Sequence, residues 1–201
     1  MNYLNEYYFF NKKGIDYSKL QLGEGSLGIS SDKYGSKLLI DLIKLHLKKD
    51  DITITDMTAN VGVDSIAFGL HFKKVNSIEL NTKLFNSLNN NINVYNLKNI
   101  KTYNGSSVEI IKKLKQDVIY VDAPWGGEDY HKNTSVKLYL DNLELSDIYN
   151  MFKKKTKLFV LKIPKNYDIN NFIKETQVNG YFLYPHVRKD KVKYIFMIIR
   201  P

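Results

Sequence analysis

From residue 52 onward the chain alternates between short apolar or β-branched runs and longer stretches at helical spacing. No other feature constrains the fold as strongly. Strands are predicted over 52–55 (ending at Asp56), 75–80, 100–103, 117–121 and 158–163, with 181–185 and 193–199 closing the chain as a hairpin. Helices are predicted over 63–72, 82–96, 106–114, within 143–153 and over 168–177. Thr82 stands ready to cap the second of these. The run Asp117-Val118-Ile119-Tyr120-Val121 is apolar and β-branched throughout, as a strand buried on both faces of a parallel sheet must be. Regular alternation of this kind implies an α/β fold: an open Rossmann-like sheet, mostly parallel, with helices on both faces and one antiparallel strand from the terminal hairpin. Ligands of such sheets sit beyond the carboxyl ends of the strands.

Upstream, residues 34–47 read as an amphipathic helix with Ser30 or Ser31 near its start, and residues 2–28 show no clear period. The expected organisation is an N-terminal arm over 1–33 followed by one domain over 34–201. Tyr7, Tyr8, Phe9 and Phe10 are suited to docking the arm on that domain or to walling a substrate pocket.

A net charge of +9 favours polyanionic partners, nucleic acid first and an anionic membrane surface second, although basicity alone identifies none. The absence of cysteine excludes disulfides, thiolate zinc sites and a cysteine nucleophile. His46, His71, His131 and His186 are scattered without metal-ligand spacing, so no metal is expected, and no G-x-S-x-G elbow suggests a hydrolase. There is no signal-like N-terminus and no long apolar window, which gives an intracellular, soluble protein as the expectation.

Two segments carry chemistry. The first predicted strand runs into Asp56-Met57-Thr58-Ala59-Asn60-Val61-Gly62 and then a helix. Such a turn needs residues that tolerate positive φ, which Gly62 does freely and Asn60 better than most. Asp56 can accept from a bound amine or from the turn's own amides. Glu79 closes the next strand about 20 residues on, where a carboxylate can take both ribose hydroxyls. The G-x-G-x-x-G fingerprint is absent, so the pair suits S-adenosylmethionine, which has no phosphate, better than a dinucleotide.

The second segment, Val121-Asp122-Ala123-Pro124-Trp125-Gly126-Gly127, resembles the [DNS]-P-P-[YFW] motif of methyltransferases that act on exocyclic amines of bases. The lone pair of such an amine is delocalised into the ring. The Asp122 carboxylate and carbonyls held by Pro124 can orient its N–H groups toward the methyl donor. Trp125, the one tryptophan, can stack the base, an interaction worth roughly 1–3 kcal/mol.

The longer string P-W-G-G-x-D-Y at positions 124–130 resembles the signature of trimethylguanosine synthases, the cap guanine-N2 methyltransferases of the class I S-adenosylmethionine-dependent superfamily. Asn89-Asn90-Asn91 with Val94-Tyr95, the loop Ile163-Pro164-Lys165-Asn166-Tyr167-Asp168-Ile169 and Lys191-Val192-Lys193 are similar to further stretches of that family, and Glu24-Gly25 and Ser31-Asp32-Lys33 faintly so. The resemblance implies methyl transfer to N2 of 7-methylguanosine on capped RNA. It places Asp122, Pro124 and Trp125 in catalysis. Asp56, Thr58, Asn60, Gly62, Glu79, Leu80, Ser106 and Asp122 fall around S-adenosyl-L-methionine. Trp125, Lys165 and Asn166 fall on the substrate, with Lys12, Lys13 or Lys33 offering further cations to the cap phosphates.

The chain departs from the family pattern at several points. Asn60, Gly62, Val63 and Asp64 stand at the glycine-rich turn, and Ser106 replaces an Asp that meets the adenine amine. Asp122 replaces Ser, Ala123 replaces Pro, and no aromatic occurs near Ser26 or Leu27. Two alternatives stay open: methylation of another exocyclic amine (adenine N6, or guanine N2 of rRNA or tRNA), and an inactive domain that binds capped RNA.

Overall fold

The computed structural model describes residues 2–23 and 31–201. The sequence features at Glu24-Gly25, Ser26, Leu27 and Ser30 lie outside the described residues. The chain divides into two compact units, Met1–Leu114 and Lys115–Pro201.

The first unit opens with helix α1 (Asn2–Tyr8), a short element where the sequence shows no period, and continues through α2 (Lys33–Leu47). Asp32 caps α2 by accepting from the Gly35 amide at 2.8 Å. Strands β1 (Thr53–Asp56), β2 (Lys74–Glu79) and β3 (Ile100–Asn104) pair in parallel in the order β3-β2-β1. Helices α3 (Val63–His71), α4 (Thr82–Val94) and α5 (Ser107–Ile111) follow these strands in turn. The expected capping role of Thr82 is corrected: Asn81 is the cap, its Oδ1 accepting from the amides of Lys83 and Leu84. Thr82 is already the first helical residue, with helical backbone rather than the extended geometry a cap requires, and its hydroxyl donates to Asn104 Oδ1.

The N-terminal arm is part of this unit's core. Phe9 is fully buried among Val61, Ile66, Leu88, Ile92 and Tyr95. Asn91, fully buried on α4, holds the arm with its side-chain amide. Its Oδ1 accepts from the Gln21 amide, and its Nδ2 donates to the carbonyls of Gln21 and Val61, each at 2.8 Å. The Tyr95 hydroxyl donates to the Phe10 carbonyl. Burial pushes that phenol well above its ordinary range, so it stays a neutral donor. Tyr8 and Phe9 are both buried in this unit's core.

The second unit is built on β4 (Val118–Val121), which pairs in parallel with β7 (Leu158–Ile163). A two-residue ladder, β5 (Tyr139–Leu140) with β6 (Leu143–Glu144), turns through Asp141 and Asn142, both at positive φ. Helices α6 (Leu145–Phe152) and α7 (Ile169–Thr176) flank β7 in sequence. Strand β8 (Tyr181–Arg188) and strand β9 (Lys191–Ile199) form the terminal hairpin, and β9 runs antiparallel to both β7 and β8. The hairpin is longer than its apolar runs suggest. Its ladder continues to Arg188 and Lys191, and only Lys189-Asp190 turn, both at the positive φ that a two-residue hairpin loop demands. Among the described residues no helix is long and apolar enough to cross a membrane, and no cluster could hold a metal ion.

Candidate active site

The first unit gathers Asp56, Thr58, Asn60, Gly62 and Glu79 at the carboxyl ends of β1 and β2. Asn60 (φ 49°) and Gly62 (φ 95°) adopt the left-handed backbone expected of them. Gly62 has a second reason to be glycine, since a Cβ there would lie 2.6 Å from Leu88 Cδ1. The buried Asp56 accepts from the Thr58 amide at 3.1 Å and from the Ser65 hydroxyl at 2.6 Å, and Ser65 in turn accepts from Ser77 at 2.8 Å. Glu79 accepts from the Asn60 amide at 2.8 Å and from the Asn81 amide at 2.7 Å. One carboxylate thus pins two turns. Because an ionised carboxylate offers about four acceptor positions, it retains capacity for further donors. Leu80 lies just past β2 and is largely exposed. Ser106 caps α5 by accepting from the Glu109 amide.

Sequence reasoning gave no role to Asp64, yet it organises the start of α3. It accepts from the hydroxyls of Ser31 and Ser36 and is buried. Two of the lysines suggested for phosphates make hydrogen bonds within this unit. Lys12 Nζ donates to the Tyr95 carbonyl at 2.7 Å, and Lys33 Nζ donates to Asn11 Oδ1 at 3.4 Å.

In the second unit, Asp122 directly follows β4, and Ala123-Pro124-Trp125-Gly126-Gly127 turn away from the strand. Gly126 and Gly127 both have positive φ, and a Cβ on either would meet nothing within 4 Å. Trp125 is half-buried. It contacts Tyr130 edge-on at 5.2 Å between centroids and Tyr194 of β9 at 6.4 Å. His186 of β8 stacks on Tyr194 at 4.7 Å, so an aromatic row runs from the terminal hairpin to the indole. The indole Nε1 is buried and has no hydrogen-bond partner among the described residues.

The residue that sequence reasoning missed is Lys162. It lies in the fully buried strand β7, is 1% exposed, and its Nζ donates to Asp122 Oδ2 at 2.7 Å. The same ammonium lies over the Trp125 ring at 5.6 Å and over the Tyr194 ring at 4.7 Å. Parallel pairing produces this meeting. Val121 is in register with Leu161, so the next residues on the two strands, Asp122 and Lys162, come side by side. One signal was present in the sequence, a lone lysine inside the apolar run Leu158-Phe159-Val160-Leu161-Lys162-Ile163. Lysine is almost never fully buried unless paired.

Asn166 lies with the Trp125 loop, where its Nδ2 donates to the carbonyls of Tyr130 and Asn133. Backbone bonds between Val136 and both Asn166 and Asp168 close the same junction. Lys165, one residue earlier, is exposed.

Against this geometry the comparisons are specific. Residues 52–197, well over half of the chain, match the family model for RNA cap guanine-N2 methyltransferases. The chain belongs to that family. It is 37% identical over 139 residues to uncharacterized protein L320 of Acanthamoeba polyphaga mimivirus, covering 64% of this chain and 54% of that one. The chain therefore spans about half the length of this curated relative. Among solved structures, a precorrin-6y C5,15-methyltransferase from Geobacter metallireducens superposes with a TM-score of 0.63 at 15% identity, covering 93% of this chain and 96% of that one. The T. thermophilus 16S rRNA N2 G1207 methyltransferase RsmC, solved with AdoMet and guanosine, gives 0.62 at 15% identity over 82% of this chain and 42% of its own.

Family and fold are those of class I S-adenosylmethionine-dependent methyltransferases, with the mostly parallel α/β sheet and its antiparallel β9. The first unit fits that cofactor. Its turn takes two left-handed residues, Asn60 and Gly62, and the carboxylates of Asp56 and Glu79 stand at the ends of β1 and β2 beside it.

Proposed function

We propose that the chain transfers a methyl group from S-adenosylmethionine to the exocyclic N2 of 7-methylguanosine in an RNA cap. The observation that carries this reading is Trp125, a half-buried indole held by Tyr130 and Tyr194 on an open Gly-Gly turn, in a chain of the cap guanine-N2 family. When bound, S-adenosylmethionine supplies an electrophilic sulfonium methyl.

Asp56, Thr58, Asn60 and Gly62 hold its amino-acid end, Glu79 its ribose, and Leu80 and Ser106 its adenine. Asp122, aided by Pro124, accepts from the N2 amino group and fixes its direction, which is where positioned groups gain most of their rate effect. Trp125 stacks the methylated purine, whose positive charge adds a cation–π contribution. Lys165 meets cap phosphates, while Asn166 acts through the loop it ties. Residues 1–33 act as an arm to a domain over 34–201.

Labelled cofactor offered with capped and uncapped RNA tests the proposal. Methylation should require the 7-methylguanosine cap, and equal transfer to uncapped RNA or to DNA would eliminate the cap reading. A second reading, another exocyclic amine, is favoured by Asp122 at the head of the motif. It requires transfer to an uncapped substrate in the same assay.

A further inference from the structure

We propose that Asp122 neutralises the buried ammonium of Lys162 so that Trp125 can accept a positively charged purine in preference to a neutral one. This rests on the reading that Trp125 stacks the cap base.

A cation is attracted to an indole face by the ring quadrupole, and an indole can serve that way for a ligand cation as well as for an ammonium. Here the ammonium of Lys162 already occupies a position over the Trp125 ring. An uncompensated buried positive charge at that place would repel a second cation stacked on the same indole, because charges close together in a poorly solvated site interact strongly. It would leave a neutral guanine unaffected. Asp122 removes the conflict, since its carboxylate sits 2.7 Å from Nζ and makes the pair neutral.

The serine that the family resemblance puts at position 122 could not do this. In this chain the lysine of β7 and Asp122 form one charge pair. Lys162 is a specificity-determining residue that acts through the indole, not a group that touches the reacting atoms. Asp122 has a second duty besides orienting the amine.

The charge signs give a test that structural damage alone cannot mimic. Because the chain has one tryptophan, quenching of its fluorescence reports binding at the indole itself. Titrations with m7GTP and with GTP give the preference as a ratio of dissociation constants. The parent should prefer m7GTP. Asp122→Asn leaves the ammonium unbalanced and should lower the ratio about tenfold, or about 1.4 kcal/mol. Lys162→Met leaves the carboxylate and should raise the ratio. Asp122→Asn combined with Lys162→Met should return it to within about twofold of the parent, because replacing both charges restores neutrality.

An unchanged ratio in Asp122→Asn, a lowered ratio in Lys162→Met, or no recovery in the double variant each overturns the proposal while leaving the cap reading intact. A parent without any preference for m7GTP removes the cap reading, and this inference falls with it.

Discussion

The two units meet their buried and half-buried carboxylates in opposite ways. In the first, Asp56, Asp64 and Glu79 are met by backbone amides and serine hydroxyls, all neutral donors supplied by nearby turns and helix starts. In the second, Asp122 is met by the ammonium of a fully buried lysine under an aromatic pair. Neutral donors leave an anion in place, as the proposed contacts to a cofactor's amine and hydroxyls require, whereas an ammonium cancels the anion, as the proposed stacking of a cationic ring requires.

The contrast can be broken at five places. Substituting Phe9 by Ala removes a fully buried ring that ties the arm into the first unit. It should cost about 3–5 kcal/mol, seen as an earlier chemical-denaturation midpoint. A cost below about 1 kcal/mol would mean the arm is an accessory, not core. Asp122→Ala removes the carboxylate that meets the buried Lys162 ammonium. We expect about 3 kcal/mol of destabilisation, the low end for broken buried pairs because Asp122 is 17% exposed. The transfer step should slow more than substrate binding weakens. Ser65→Ala removes one neutral donor from Asp56 and should cost only about 1–2 kcal/mol. If the two carboxylate perturbations are equally costly, the contrast between units is wrong.

Trp125→Ala should weaken cap-analogue binding by about 1–3 kcal/mol while leaving S-adenosylmethionine binding, measured by calorimetry, unchanged. A variant that methylates capped RNA at the parent rate would remove the stacking role. The smallest effect is expected at Asn60. Ala should cost about 1 kcal/mol in stability at its left-handed backbone, and Gly almost nothing. Matching losses for both would show that the Asn60 side chain, which accepts from the Val61 amide, matters more than its φ.

Much of the fold is legible in the sequence because its signals are local. The β-branched run before Asp122 and the helical spacing of α4 are each set by neighbours within a few residues, and the positive-φ turn at Asn60 and Gly62 by residue type. The same locality marks the Trp125 turn, since Pro, Trp and paired Gly occur together for reasons that core packing does not supply.

What stays hidden in the sequence is everything that depends on residues far apart in the chain. Helix α1 has too few residues to display a period, and it is tied down by Asn5, whose side-chain amide donates to the carbonyls of Tyr17 and Leu20, rather than by propensity. Thr82 and Asn81 are both acceptable caps by type, and only backbone geometry chose between them. Lys162 and Asp122 are separated by 40 positions and meet because two parallel strands are in register. The sequence by itself determined the order of strands and helices and the two turns to which the chemistry is assigned in the proposal, because periodicity and turn residues act over short distances. Tertiary structure alone decided which charges face each other, because register between strands is a property of the folded sheet and not of either strand.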